Sequence, residues 1–157
     1  MAQNVTIRSA QPEDGEAIAR VITAAFPEEG TIIVKLVNDL LKDPTAQPVV
    51  SLVATVQSDG EDKVVGYILF SNAWLEGGDR SDSIAMLAPL CVHPDYQKQG
   101  VGGLLIEEAM QRLTASGVEL AFQMGYPSYY PRYGFFPAGQ WGFEPTYPVP
   151  PKDADAL

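Results

Sequence analysis

The sequence predicts a mixed α+β domain, in which helices pack on a central, mostly antiparallel twisted sheet that contains one parallel strand pair. Three strand-like apolar runs follow one another through short polar turns, which is typical of an antiparallel meander. A helical segment then separates the third run from a fourth, and a crossover of this kind joins parallel strands. The length of 157 residues fits one domain with a sizeable core.

A short strand and two amphipathic helices are predicted before the meander. Residues 5–8 alternate in the manner of a strand. Pro12 and the two acidic residues after it mark a helix start, and apolar residues recur at helical spacing over residues 17–25. A second helix is predicted over residues 31–42, and Asp43-Pro44 ends it.

Four strand-like runs form the rest of the predicted sheet: residues 49–56, 64–74, 84–92 and 118–124. A glycine-rich loop and an amphipathic helix connect the last two, so we expect these two strands to be parallel. Residues 127–133 then favour a short helix or turn, and residues 135–143 favour one or two short strands. Four large aromatic residues are expected mostly to fill the core, although they could line a pocket: Trp74, Phe135, Phe136 and Trp141.

The composition favours a globular protein and argues against nucleic acid as the main partner. Hydrophobic residues make up 46% of the chain, which is typical of a folded domain. Twenty acidic and ten basic residues give a net charge of −10, whereas binding to a phosphate backbone requires a basic face. The acidity either attracts a cationic substrate or only aids solubility.

Several features indicate a cytoplasmic protein. Cys91 is the single cysteine, which excludes an intramolecular disulfide and suits a reducing compartment. The first residues lack the basic and apolar regions of a signal peptide, and no apolar run approaches the ~18 residues of a membrane span. One cysteine and one histidine, His93, make no metal cluster, so we expect no metal cofactor.

A glycine-rich loop after the third strand of the meander is the main candidate for ligand binding. It covers residues 97–103, Gln-Lys-Gln-Gly-Val-Gly-Gly, and leads into the following helix. N–H groups in the first turn of a helix have no internal partner, and the helix dipole attracts a phosphate to this end. The loop matches neither a Walker loop nor a dinucleotide fingerprint. The glycines could equally serve a tight turn and a close contact between helix and strand.

Residues 92–102, Val-His-Pro-Asp-Tyr-Gln-Lys-Gln-Gly-Val-Gly, resemble the Gln/Arg-x-x-Gly-x-Gly/Ala signature of the GNAT superfamily of N-acetyltransferases. The order of strands and helices is similar along nearly the whole chain. Residues 87–90 and the aromatic segment 125–135 also resemble a YhbS-like branch of bacterial acetyltransferases. The resemblance implies a three-layer αβα fold, with one N-acetyltransferase domain over residues 1–145. The prolines that follow predict a Pro-rich, extended or disordered tail over residues 146–157.

The resemblance implies acetyl-CoA as the cosubstrate, lying between the strands over residues 84–92 and 118–124. Backbone groups of the loop would hold its pyrophosphate, and the end of the third meander strand would pair with its pantetheine arm. A backbone N–H group nearby would also polarise the thioester carbonyl. The cofactor-binding residues expected on this basis are Leu90, Cys91, Val92, Gln97, Lys98, Gln99, Gly100, Val101, Gly102 and Gly103.

The resemblance also implies a catalytic tyrosine, because many family members carry a tyrosine followed by three residues and then Gly-Phe. Tyr130 holds that place before Gly134-Phe135. A phenol has a pKa of about 10 and can protonate a departing thiolate as a general acid. Tyr130 could instead only pack against the cofactor, and Tyr129 and Tyr133 are the other candidates for the acid.

The general base is not evident from the sequence. Glu28 and Glu29 lie in a loop that borders the substrate pocket in the family, although an acidic turn is ordinarily just solvated. His93 is placed as a loop residue after the strand. Cys91 has no histidine in a recognisable arrangement, so we expect a small buried hydrophobic residue and not a nucleophile.

The function predicted from these features is acetyl-CoA-dependent transfer of an acetyl group to a primary amine, by direct attack in a ternary complex. The partner would be a small-molecule amine or a peptide amine, and a homodimer is an open alternative to a monomer. Neither nucleic acid nor a membrane is expected as a partner. A non-catalytic acyl-CoA-binding sensor would keep the loop and need no acid, and a binding domain for another nucleotide is a third alternative.

Overall fold

The fold is organised around one five-stranded sheet, seen in a computed structural model that describes residues 4–78, 83–125 and 129–144. The strands are β1 (Val5–Ser9), β2 (Val50–Ser58), β3 (Glu61–Ala73), β4 (Ile84–Val92) and β5 (Leu120–Gln123). They lie side by side in chain order. Neighbours are antiparallel from β1 to β4, whereas β4 and β5 are parallel. The predicted meander and the predicted parallel pair are therefore confirmed.

Helices cover both faces of the sheet. They are α1 (Gly15–Ala25), α2 (Gly30–Lys42) and α3 (Val101–Ala115). Buried residues of α1 and α2 form one apolar cluster with side chains of β2, β3 and β4. Residues of α3 form a second cluster, the α3-side cluster, with side chains on the opposite face of the same strands. The layers are helix, sheet and helix, which confirms the predicted α+β class.

α3 lies close to the sheet where it crosses Gly66 of β3. A Cβ atom at Gly66 would stand 3.0 Å from Cδ1 of Leu105 and 3.3 Å from Cγ1 of Val101. Both of these α3 side chains are buried. Because Val101 is the first residue of α3, this contact fixes the position of the helix N-terminus over the sheet.

β4 contains a bulge that changes which of its side chains face α3. Leu69 of β3 stands opposite two β4 residues, Ala88 and Pro89. In an unbroken strand, residues three positions apart point to opposite faces. Leu87, before the bulge, and Leu90, after it, nevertheless both pack in the α3-side cluster. Proline lacks the N–H group that a ladder requires, which suits it to a bulge. Since a bulge bends its strand, the end of β4 is turned relative to its start.

The segment after β5 differs from its prediction. Within residues 129–144, the chain forms 3-10 turns and not the one or two strands expected over residues 135–143. The turns are Tyr130–Tyr133 and Ala138–Trp141. Gly134 and Gly142 follow these turns with φ of +89° and +81°, and this left-handed conformation interrupts an extended run.

The expectation that the large aromatic residues mostly fill the core is wrong. Phe136 and Trp141 are 70% and 71% exposed, and Trp74 is 40% exposed. Phe135 alone among these four packs, half-buried, on the α3-side cluster. The other three lie outside the strands, in segments that offer no sheet face for a side chain to cover.

The expected short helix, the expected tail and the expected absence of a membrane span concern segments that the structure describes only in part or not at all. The short helix or turn expected over residues 127–133 is present at Tyr130–Tyr133, and its first two residues lie outside the described ranges. The tail expected over residues 146–157 also lies outside them. None of the helices within the ranges is long and apolar enough to cross a membrane.

We predict that Gly66→Ala destabilises the protein by about 1–3 kcal/mol, because the added methyl group overpacks the contact with α3. Denaturant unfolding measures the difference. Gly15→Ala is the matched control, since a Cβ atom at Gly15 would meet nothing within 4 Å. Equal unfolding free energies for the parent and the Gly66 variant would contradict the close approach of α3.

Candidate active site

The strands β4 and β5 pair along only part of β4, and we call the β5-facing edge of β4 over residues 88–92, beyond that pairing, the opening. Their parallel pairing ends at Leu87 and Gln123. β4 continues to Val92 and stays paired with β3 on its other side. No strand among the described residues pairs with the β5-facing edge of β4 over residues 88–92. An extended ligand can join such an unpaired edge as an added strand.

The backbone of β4 presents polar groups to this opening at alternate residues. The N–H group of His93 donates to the carbonyl of Val65 across the antiparallel pair with β3, at 2.8 Å. Both backbone groups of a residue point the same way, and successive residues alternate. Cys91 therefore points to β3, whereas Leu90 and Val92 point to the opening. Of the three residues expected to contact a pantetheine arm, Cys91 is thus the one turned away.

The glycine-rich loop follows β4 after a short turn over residues 93–96, and its own glutamine side chains maintain its shape. Gln97 donates from Nε2 to the carbonyl of Val92 at 2.9 Å, and Gln99 donates to the carbonyl of Asp95 at 3.2 Å. Between them, Lys98 has a φ of +60°. This left-handed conformation costs a non-glycine residue about 1–3 kcal/mol, and such strain is concentrated at ligand-binding sites.

The first turn of α3 carries N–H groups that are available to an anion. Gly100, at the N-cap, has a φ of +85° and offers no side chain to cap them. The N–H group of Leu104 donates to the carbonyl of Gly100 at 3.1 Å and closes the first turn. The N–H groups of Val101, Gly102 and Gly103 precede that hydrogen bond, where the helix dipole adds partial positive charge. This arrangement is suited to a phosphate.

Two tyrosines from the segment after β5 pack on the same turn of α3. A Cβ atom at Gly102 would stand 2.5 Å from the hydroxyl oxygen of Tyr129. A Cβ atom at Gly103 would stand 2.8 Å from the hydroxyl oxygen of Tyr133. The two glycines therefore admit the phenols, in addition to any role toward a ligand. Sequence reasoning missed this contact, because the loop itself does not show which distant side chains lie against it.

Tyr130, the expected acid, is buried in the α3-side cluster and is 8% exposed. The centroid of its ring lies 5.2 Å from that of Tyr129 and 5.6 Å from that of Phe135. Burial raises the pKa of Tyr130 to about 12. Burial and the phenol of Tyr133 also raise the pKa of Tyr129. The three tyrosines thus form one cluster between the end of β5 and the start of α3.

The remaining candidates have ordinary structural surroundings. Cys91 packs in the cluster of α1 and α2, where burial raises the pKa of its thiol to about 12, as expected for a buried hydrophobic residue. Nδ1 of His93 accepts a hydrogen bond from the N–H group of Asp95 at 3.2 Å and so caps a turn. Glu28 and Glu29 are exposed between α1 and α2. In the part of the chain that the structure describes, acidic, histidine and cysteine side chains form no group that could hold a metal ion.

One known protein family matches a range of the chain that includes all the elements around the opening. The family model of the acetyltransferase (GNAT) domain matches residues 50–137, which is more than half of the chain. The chain belongs to the GNAT acetyltransferase family. The matched range contains the unpaired edge of β4, the glycine-rich loop, α3, β5 and the tyrosine cluster. The family resemblance noted in the sequence is therefore confirmed.

Three GNAT relatives match over most of their length. The uncharacterized N-acetyltransferase YjhQ of Escherichia coli K12 is 40% identical over 146 residues, which are 92% of this chain and 77% of that protein. The crystal structure of the N-acetyltransferase YhbS from Escherichia coli in complex with CoA has a TM-score of 0.85 at 29% identity, covering 99% of this chain and 80% of that one. A Brucella melitensis GNAT acetyltransferase in complex with acetyl-CoA has a TM-score of 0.68 at 32% identity, covering 85% and 83%. The chain is accordingly an N-acetyltransferase by family.

We predict that the Cys91 thiol does not react with a chromogenic disulfide reagent in the folded protein. The pKa of about 12 leaves little nucleophilic thiolate at pH 8, and the sulfur is buried. Absorbance should show almost no reaction before denaturation and one equivalent of thiol afterwards. Rapid, stoichiometric reaction of the native protein would contradict this burial.

Proposed function

We propose that this chain transfers the acetyl group of acetyl-CoA to a primary amine, by direct attack of the amine in a ternary complex. The observation that carries the proposal is the unpaired edge of β4, which leads into the uncapped first turn of α3. Acetyl-CoA contains an extended arm with amide groups and a diphosphate, which are the chemical counterparts of these two features. The complexes of YhbS with CoA and of the Brucella protein with acetyl-CoA support this choice of cosubstrate.

The cosubstrate would bind mainly through backbone groups. The N–H groups of residues 101–103 would hold the diphosphate, and Lys98 would add a positive charge beside them. The backbone groups of Leu90 and Val92 would pair with the amides of the pantetheine arm. The side chains of Gln97 and Gln99 would act indirectly, because their hydrogen bonds maintain the shape of the loop.

The reaction would begin when a neutral amine attacks the thioester carbonyl carbon. A C–N bond forms, and the carbonyl oxygen takes a negative charge. A backbone N–H group on the unpaired edge of β4 would stabilise this oxyanion, an interaction that typically contributes about 10²–10³-fold to kcat. The amine proton would leave to water or to a carboxylate, for which Glu28 and Glu29 are the candidates.

Collapse of the tetrahedral intermediate would break the C–S bond, and Tyr130 would donate from its phenol to the departing sulfur. Its pKa of about 12 keeps the phenol protonated at physiological pH. Complete proton transfer to a thiolate with an ordinary pKa of about 8.5 is uphill, so the final proton can come from water while Tyr130 supplies a hydrogen bond. Tyr129 and Tyr133 are weaker alternatives, because their hydroxyl groups lie at the first turn of α3, where the diphosphate would bind and not the sulfur.

The acceptor that we propose is a cationic primary amine, carried by a small molecule or a peptide. The net charge of −10 would attract a cation at long range. A cationic amine must lose a proton before it attacks, so its acetylation should accelerate as the pH rises toward the pKa of the amine. Fold alone does not select one amine within this class.

A non-catalytic acyl-CoA sensor is the second candidate, and the burial of Tyr130 is the observation that favours it. A phenol that only packs in the core would supply no proton. The enzyme and the sensor would both bind acetyl-CoA, whereas only the enzyme would release CoA thiol when an amine is added. A panel of primary amines at saturating acetyl-CoA, with thiol release as the readout, separates the two functions. Binding of acetyl-CoA without turnover across the panel would overturn the proposed transfer.

We predict that Tyr130→Phe lowers kcat about 10²-fold and leaves the Kd for acetyl-CoA unchanged, because the ring still packs and only the proton donor is lost. Thiol-release kinetics and calorimetry measure these two quantities. Tyr129→Phe is the matched comparison, because it removes the neighbouring phenol. Full kcat in the Tyr130 variant would overturn its assignment, and a larger loss in the Tyr129 variant would move the donor role to Tyr129.

A further inference from the structure

Gln123, the last residue of β5, carries a buried acceptor atom that lacks a partner. The residue is 6% exposed. Its Oε1 atom is closed to solvent, and no donor among the described residues forms a hydrogen bond to it. An unpaired buried amide oxygen is costly, and the large majority of such atoms in folded proteins are hydrogen-bonded. The missing hydrogen-bond partner of Oε1 therefore needs a physical explanation.

Gln123 stands where the opening between β4 and β5 begins. It pairs with Leu87, which is the last β4 residue in contact with β5 in the parallel ladder. Paired residues direct their side chains to the same face of a sheet, and Leu87 belongs to the α3-side cluster. The side chain of Gln123 is consequently on the face where α3 and the tyrosine cluster lie.

The oxygen of Gln123 is also a neighbour of the proposed proton donor. Oε1 lies 2.9 Å from the position that a Cβ atom would take at Gly125. The Cε2 atom of Tyr130 lies 2.6 Å from that same position. Both groups therefore pack against Gly125, two residues after the end of β5.

The chemistry of this position matches an N–H group of a ligand. An amide oxygen accepts hydrogen bonds and cannot donate them. The pantetheine arm of acetyl-CoA carries an amide N–H group two carbon atoms from the sulfur, and the acceptor amine carries N–H groups of its own. If the sulfur faces Tyr130, either donor comes within reach of a group that borders Tyr130.

We infer that Oε1 of Gln123 accepts a hydrogen bond from an N–H group of a bound reactant and so aligns the thioester beside Tyr130. The identity of the ligand rests on the proposed acetyl transfer. The observation that the oxygen is unpaired is independent of that proposal. The acceptor is unsatisfied in the free protein and satisfied in the complex. Gln123 therefore lowers the stability of the free protein and raises its affinity for the reactant.

Gln123→Met tests this role, since it replaces the amide by an apolar side chain of similar length. The thermal midpoint of the free protein should rise, because an unpaired buried acceptor is removed. The affinity for the reactant that supplies the N–H group should fall about tenfold. Gln111→Met, at an exposed position on α3, is the matched control and should change neither quantity.

Two measurements on each variant distinguish the sources of the N–H group. Calorimetry with CoA in the absence of any amine reports the pantetheine arm, and a raised Kd there assigns the donor to a pantetheine amide. Thiol-release kinetics with the fastest amine of the panel report the acceptor, and an unchanged Kd for CoA with a raised KM for that amine assigns the donor to the amine.

Other outcomes would overturn the role of Gln123. A Gln123 variant that is less stable than the parent, or that does not fold, would show that the amide serves the fold. Unchanged affinities for both reactants would show that no N–H group is bound. If the parent protein itself does not bind CoA, the proposed function fails, and the role of Gln123 fails with it.

Discussion

The early end of the pairing between β4 and β5 is the constraint on which the rest of the site depends. The parallel ladder stops at Leu87 and Gln123, and the bulge at residues 88–89 bends β4 beyond that point. A ladder that continued to Val92 would have satisfied the backbone groups of β4 and left no room for a ligand. The interruption instead leaves a polar strand edge without a strand partner among the described residues, next to the α3-side cluster.

Two glycine contacts then place the start of α3 relative to this edge. Gly66 lets the helix lie close to β3, and Gly102 admits the hydroxyl group of Tyr129. The edge of β4 and the first turn of α3 are therefore held by packed elements, which is what precise positioning of a two-part ligand requires. The reacting end of that ligand would lie between Tyr130 and Gln123, where the structure has one phenol with a raised pKa and one unpaired acceptor.

The sheet and the helices could be predicted from the sequence because burial of one face imposes a local pattern. The strand predicted over residues 64–74 is Glu61–Ala73, and the helix predicted over residues 31–42 is Gly30–Lys42. The aromatic residues were misjudged, because the burial of Phe136 depends on what its segment lies against and not on its own hydrophobicity. The local hydrophobic pattern predicts helices and strands, but it does not predict the conformation or the burial of the turns that follow them.

Site residues could be predicted only where one continuous stretch of sequence provides the binding groups. The N–H groups at the start of α3 follow directly from a glycine loop before a helix, and the family signature indicated the ligand. The orientation of Leu90 and Cys91 could not be read from the sequence, since it depends on the pairing register of β4 with β3. The acceptor of Gln123 gave no signal at all, because an unpaired atom can be recognised only when all its neighbours are known.

We propose above all that the opening between β4 and β5 binds acetyl-CoA through backbone groups of β4 and α3. An amide NMR titration of the isotope-labelled full chain with acetyl-CoA tests it most directly. We expect the largest changes at the N–H groups of Leu90, Val92 and residues 98–103, with small changes in α1 and α2. Binding that shifts only amides away from these residues, or no binding at millimolar acetyl-CoA, would contradict the claim.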